Sequence, residues 1–159
     1  MKKNVIIFMP SIEDGGVEKN LYEVSNYLVK NNISLEIITC NKNMSFKFSK
    51  DIKFIGTKNS YWNNRSRYIK YIICLLILFL TLIKRKEKTL VFAFQANIYA
   101  VILAKILNVK IITRSNSAPS GWSQNAIKNF IYKFFIKFAN DVMVNSFEFK
   151  KIFEKKIRC

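Results

Sequence analysis

Short apolar runs alternate with amphipathic stretches along most of this chain, and that alternation leaves few architectures open to it. Residues 5–9, Val-Ile-Ile-Phe-Met, read as a strand buried on both faces. Residues 17–30 place Val17, Leu21, Val24, Tyr27 and Leu28 at steps of three and four, which is one apolar face of a helix ended by Asn31 and Asn32. Further β-rich runs follow at 34–40, 52–55, 89–94, 109–113 and 141–144, with helical patterns at 97–107, from about 125 to 139, and from 146 onward. The polar segment 41–50 reads as a loop or hairpin. Strands that alternate with helices specify a parallel sheet covered on both faces, so the expected fold class is α/β: a Rossmann-like doubly wound parallel sheet with helices on both faces. In such sheets ligands bind beyond the carboxyl ends of the strands. The loops at 10–16, 95–97 and 114–124 all follow strands and are expected to share one rim.

The first of those loops holds Gly15 and Gly16 between the first strand and the first helix. Glycine there permits φ > 0 and close approach of backbone to a ligand, and the helix that follows points unpaired N–H groups into the same space. Phosphate or a sugar hydroxyl suits such a site; a tight turn with nothing bound is the plain alternative. The spacing matches neither the Gly-x-Gly-x-x-Gly dinucleotide fingerprint nor the P-loop.

With 159 residues, half of them hydrophobic, the chain has the size of one domain with one core. Its 27 Lys and Arg against 10 Asp and Glu give a net charge of +17, which favours an acidic partner such as nucleic acid, anionic lipid or a phosphate-bearing substrate. The basic residues are mostly Lys, are spread along the chain, and accompany abundant Asn, Ile and Phe, a mix that AT-rich coding also produces. The absence of histidine excludes a His-bearing metal site and a Ser-His or Cys-His nucleophile. Cys40, Cys74 and Cys159 show no C-x-x-C spacing, and their odd number argues against a disulfide framework. The apolar run after Lys2 and Lys3 is too short for a signal peptide, so a reducing cytoplasm is the expected compartment.

Residues 72–83 carry no charge and are flanked by Arg65, Arg67 and Lys70 on one side and Lys84, Arg85, Lys86 and Lys88 on the other. A spanning helix needs about 20 apolar residues. The segment therefore reads as a core helix or as one that docks the domain peripherally on an anionic membrane surface.

The sequence Pro10 to Lys19, with Leu21 and Leu28 after it, resembles the Gly-Gly-x-Glu-Arg opening of the retaining glycosyltransferases of family four. Ile111 to Pro119 resembles the strand and acceptor-side loop of that family, and Asp141 to Ser146 its next strand; together the similarity spans roughly residues 3–153. The resemblance implies the GT-B architecture of two Rossmann-like domains. The chain would be one N-terminal, acceptor-side domain over 1–159, truncated before the nucleotide-sugar domain with its E-x7-E glutamates. It further implies transfer of a hexose-type sugar from a nucleotide sugar to a lipid-linked or cell-surface glycan acceptor, no cofactor beyond that donor substrate, no nucleic-acid partner, a separate C-terminal half as a possible partner, and a place on the inner face of the cytoplasmic membrane. The fragment alone is then expected to be inactive. The substrate-binding residues this implies are Gly15, Gly16, Glu18, Asn97, Arg114, Ser115, Asn116 and Trp122, with no metal and no catalytic residue assigned. Many relatives carry a His after the fifth strand, where this chain has Arg114-Ser115-Asn116. Arg114 suits a phosphate bidentately or a loop-closing hydrogen bond, Asn116 a sugar hydroxyl, Trp122 a sugar or lipid face or plain packing, and Glu18 a helix N-terminus. A non-catalytic basic binding module, or another nucleotide-binding Rossmann enzyme, are the alternatives.

Overall fold

The computed structural model describes residues 4–13, 15–40, 42–57, 61–62, 65–85, 88–115 and 126–158. Six strands form one sheet: β1 (Asn4–Phe8), β2 (Ser34–Ile38), β3 (Lys53–Ile55), β4 (Thr89–Ala93), β5 (Lys110–Arg114) and β6 (Asp141–Met143). Five helices connect or follow them: α1 (Gly16–Lys30), α2 (Arg67–Lys84), α3 (Asn97–Ile106), α4 (Ala126–Ile136) and α5 (Phe147–Arg158). The strand order is β3-β2-β1-β4-β5-β6 and every pairing is parallel. The expected α/β doubly wound architecture is the one observed. Residues 41–50 form no hairpin among the described positions; a 3-10 helix at Lys42–Lys47 leads into buried Phe48.

Because successive side chains of a strand point to opposite faces, β1 splits its apolar run between two cores. Val5, Ile7 and Met9 join Leu21 of α1 on one side, with Leu35, Ile37, Phe92 and Phe94 from neighbouring strands. Ile6 and Phe8 join Cys74, Leu78 and Leu82 of α2 and Ala100, Val101 and Ala104 of α3 on the other. A smaller cluster of Ile136, Phe149 and Phe153 ties α4 to α5.

Helices α1 and α3 end alike. The N–H of Asn32 bonds the carbonyl of Val29 and that of Ile33 the carbonyl of Leu28, while Asn108 and Val109 do the same to Lys105 and Ala104. Both are Schellman motifs, with Asn32 (φ 58°) and Asn108 (φ 53°) in the left-handed position where glycine is commoner. These stops set the short turns into β2 and β5 and so fix the register of the sheet.

Helix α2 is a core helix on one side only. Lys70, Cys74, Leu78 and Leu82 face inward at intervals of four, whereas Ile72, Leu76, Leu80 and Ile83 lie 49–60% exposed. Among the described residues no helix is long and apolar enough to cross a membrane.

Candidate functional site

Strand order reverses between β1 and β4, and the chain leaves both strands at their carboxyl ends toward opposite sides of the sheet. This opens the crevice where doubly wound folds bind ligands. A cavity of about 530 Å³ occupies it. Its walls come from the loop after β1 and the start of α1 (Glu13, Gly15, Val17, Glu18), from the first turn of α2 (Arg67, Tyr71), and from the β4–α3 connection, Phe94 to Tyr99; Ser115 and Tyr132 complete it.

The first wall is built by local hydrogen bonds. Glu18, the third residue of α1, is buried and its Oε1 accepts the Glu13 N–H at 3.2 Å, folding the loop back over the helix start. The donor lies two residues before the Gly15 N-cap, so the contact folds the loop rather than closing a capping box. The other Glu18 oxygen explains Gly15: a Cβ built there would lie 2.9 Å from Glu18 Oε2. The backbone itself is not the reason. Gly15 is extended (φ −153°, ψ −179°), and no described glycine has positive φ, so the left-handed turn expected from the sequence is corrected to steric room for a carboxylate. A Cβ on Gly16 would meet nothing within 4 Å.

Beneath that loop runs a buried polar chain. Lys70 Nζ donates to Ser11 Oγ at 3.2 Å, and Ser11 Oγ donates to Glu13 Oε1 at 2.9 Å. The Ser11 N–H is held by Gln95 Oε1 at 3.1 Å, which joins the loops after β1 and β4. Lys70 and Ser11 are 7% and 1% exposed, so an ammonium ion sits in the interior with a hydroxyl as its mediator. A buried charge survives only when it is compensated. Here Glu13, at the cavity surface, is the carboxylate the chain leads to.

The far wall depends on α3. Ala96, its N-cap, is left-handed (φ 52°, ψ 34°), a conformation that costs a non-glycine residue about 1–2 kcal/mol. Strain of this kind concentrates at ligand sites. Asn97 Nδ2 donates to the Arg114 carbonyl at 2.6 Å and so ties α3 to the end of β5. Burial pushes the Tyr132 phenol up, against the hydrogen bonds it shares with Ser115 and Asn97. Tyr71 is pushed up chiefly by burial as well, with Arg67 opposing and the Glu13 charge adding to it. Both phenols are therefore neutral at physiological pH.

Of the residues expected from the sequence, Gly15, Glu18, Asn97 and Ser115 meet in this cavity. Gly16 stands beside it. Arg114 packs under the rim at 4% exposure: its Nη2 donates to Asn145 Oδ1 at 2.8 Å, its guanidinium lies 5.4 Å from the Phe94 ring centre, and Nε and Nη1 have no partner among the described residues. Burial lowers its pKa, although an arginine remains charged. Asn116 and Trp122 lie outside the described residues. Sequence reasoning placed Glu13 and Gln95 in the rim loops without singling them out, and missed Lys70, Tyr71 and Tyr132. The four-residue spacing of Lys70, Cys74, Leu78 and Leu82 was the one available signal, since it puts the lysine on the inward stripe.

The chain matches no protein-family model and no curated protein. Solved structures do resemble it. UGT73P12 of Glycyrrhiza uralensis, solved with glycyrrhetinic acid 3-O-monoglucuronide, aligns over 99% of this chain and 47% of its own, with a TM-score of 0.67 and 8% identity. HepE of Anabaena, solved with UDP, aligns over 97% of this chain and 40% of its own, with a TM-score of 0.62 and 12% identity. UGT2 of Phytolacca americana, solved with UDP-2fluoro-glucose and pterostilbene, aligns over 92% of this chain and 48% of its own, with a TM-score of 0.56 and 12% identity. The chain thus spans less than half the length of each. These neighbours are GT-B glycosyltransferases, and at such identities the likeness establishes a shared fold: the six-stranded parallel sheet is built as the GT-B glycosyltransferases build theirs.

Proposed function

We propose that this chain is the acceptor-side half of a retaining, family-four-like glycosyltransferase that moves a hexose-type sugar from a nucleotide sugar to a lipid-linked or cell-surface glycan. The observation that carries this reading is the cavity at the β1/β4 switch point. Tyr71, Tyr99 and Tyr132 offer rings that can stack on the apolar faces of a sugar, and Glu13, Gln95 and Asn97 offer the carboxylate and amide groups that bind hydroxyls. An opposed carboxylate and guanidinium, Glu13 and Arg67, suit a polar ligand of low net charge better than a bare anion. The fold shared with glycosyltransferases solved with UDP or a UDP-sugar supports the same conclusion. Transfer forms a bond between an acceptor oxygen and the sugar's anomeric carbon and breaks the bond from that carbon to the nucleotide. This half would contribute the acceptor's position, which does little chemistry without the donor in place.

The outward face of α2 supports a membrane-bound acceptor. Ile72, Leu76, Leu80 and Ile83 form an exposed apolar strip, with Arg65 and Arg67 before it and Lys84 and Lys88 after it, while Arg85 is ion-paired with Glu36. A polybasic, apolar surface docks peripherally on anionic lipid, at about 1 kcal/mol per basic residue near the headgroups. In this reading the domain sits on the inner face of the cytoplasmic membrane, and Leu76→Asp lowers its co-sedimentation with phosphatidylglycerol vesicles several-fold without changing its melting temperature.

Saturation-transfer NMR on the chain tests the sugar site, with glycans released from surface polysaccharide, UDP, NADH and single-stranded RNA as separate probes. Glycan signals that disappear in Tyr132→Ala are the expected result. Tight binding of NADH or RNA with no glycan signal would overturn the proposal in favour of another Rossmann enzyme or a basic binding module.

A further inference from the structure

Directly behind the cavity wall lies a pair of thiols that sugar transfer does not use. Cys40 follows β2 on the rim, where its N–H bonds the Pro10 carbonyl at 3.0 Å. Cys74 sits on the inward stripe of α2, about one turn after Lys70. Their sulfurs lie 3.4 Å apart, both buried and both reduced. The Cys40 sulfur also approaches the Lys70 carbonyl at 3.9 Å, so it meets the turn of α2 that carries both Cys74 and the buried lysine.

Contact between the two sulfurs separates this pair from lone core thiols. Contact with the Cys74 sulfur holds the Cys40 thiol below its ordinary range, with burial opposing and the Lys70 charge helping. The same contact, together with burial, pushes Cys74 up. Two thiols in contact are the arrangement in which a sulfenic acid formed on one sulfur is resolved to a disulfide by the other. The polar chain from Lys70 Nζ through Ser11 to Glu13 then links the pair mechanically to the cavity.

We propose that Cys40 and Cys74 form a reversible dithiol–disulfide couple, oxidised by a hydroperoxide small enough to enter the core, and that its closure shifts α2 against the loop carrying Ser11 and Glu13. The Cys40 thiolate attacks the peroxide oxygen, the O–O bond breaks, and with one proton water or an alcohol leaves, giving the Cys40 sulfenic acid. The Cys74 sulfur attacks that sulfur, the S–O bond breaks, and the hydroxide leaves as water with the Cys74 proton. Two thiols are oxidised and one peroxide is reduced. A disulfide needs the sulfurs at about 2.05 Å, so they must close by about 1.4 Å, and a close-packed interior passes such a movement on to its neighbours. The inference rests on the contact between the two sulfurs and on the Lys70–Ser11–Glu13 chain, and holds whatever the cavity binds.

The test uses Cys159→Ser, which leaves Cys40 and Cys74 as the cysteines of the chain. The native protein is treated with hydrogen peroxide, then alkylated in denaturant, digested and analysed by mass spectrometry, while ¹⁵N amide spectra are recorded before and after. Loss of both thiols per chain, a peptide pair linked through Cys40 and Cys74, recovery with dithiothreitol, and movement of the Ser11 and Glu13 amides are expected. In the background of Lys70→Met the cross-link should still form, while the Ser11 and Glu13 shifts shrink at least about two-fold as that mechanical link is lost. Thiols that remain alkylatable, a sulfinic acid at Cys40, or bonds between chains would overturn the couple. A cross-link that leaves Ser11 and Glu13 unmoved would overturn its connection to the cavity.

Discussion

The loop after β1 and the end of β5 stand on the same rim and hold a buried cation each, yet they treat it in opposite ways. Under the first loop, the Lys70 ammonium meets the Ser11 hydroxyl and through it the Glu13 carboxylate. Under the second, the Arg114 guanidinium makes one side-chain hydrogen bond, to Asn145, and leaves Nε and Nη1 without partners among the described residues. A mediated charge is part of a network in which each member depends on the others. A charge with idle donors is a standing cost of desolvation. The difference teaches that equal burial does not mean equal contribution, and it makes mutations at the two places differ in sign.

The largest effect is expected at Ser11. Ser11→Ala removes both the acceptor of Lys70 and the donor to Glu13, leaving an ammonium ion 7% exposed without its hydroxyl. Breaking a buried charged contact from one side costs about 3 kcal/mol. Lys70→Met removes the charge and keeps the volume, so it should lie within about 1 kcal/mol of the parent. Urea denaturation of the two variants measures both. If they lose equal stability, the ammonium ion is compensated by something other than Ser11, and the contrast between the two loops weakens.

At the end of β5 the sign reverses. Arg114→Met replaces a guanidinium with idle nitrogens by an apolar chain that packs on Phe94, and Asn145, being exposed, finds water in place of its lost donor. The expected result is a gain of about 1–2 kcal/mol, read in the same denaturation experiment. A loss of more than about 1 kcal/mol would show that Arg114 has a charged partner and is anchored as firmly as Lys70.

How far these sites were legible follows from the range of the forces that make them. The sheet was readable because its signals are local: the apolar run at Val5, the three-and-four spacing from Val17 to Leu28, and the Asn31-Asn32 stop all act within a few residues. The loop that holds Gly15 and Glu18 was readable too, but their contact, although it spans only three positions, was not. Lys70 was grouped with the basic residues flanking an apolar helix, because a charge near a helix end usually turns outward; only contact with Ser11, 59 residues away, turns it in. Tyr132 enters the cavity from α4, whose exposed Phe130 and Phe134 blur any one-sided pattern. Cys40 and Cys74 meet across 34 residues, a separation that no spacing rule for cysteines anticipates.

The smallest effect concerns two glycines that no sequence pattern separates. Gly15 and Gly16 are adjacent, both have ordinary negative or extended backbone angles or helical ones, and both open the same helix. Their surroundings differ: a methyl group on Gly15 meets Glu18 Oε2 at 2.9 Å, while one on Gly16 meets open space. The carboxylate is the end of a flexible side chain and can retreat, but doing so loosens its bond to the Glu13 N–H and reopens the loop. Gly15→Ala should therefore destabilise by about 1 kcal/mol, near the value of one hydrogen bond. Gly16→Ala, at the first helical position, restricts the unfolded chain without a clash and should stabilise by about 0.4–1 kcal/mol. Thermal melts of the two variants decide the matter, with glycan saturation transfer as the second reading. A stabilised Gly16→Ala that loses the glycan signal would place its open space inside the ligand's path, whereas an unchanged signal would confine recognition to the Gly15 side of the turn.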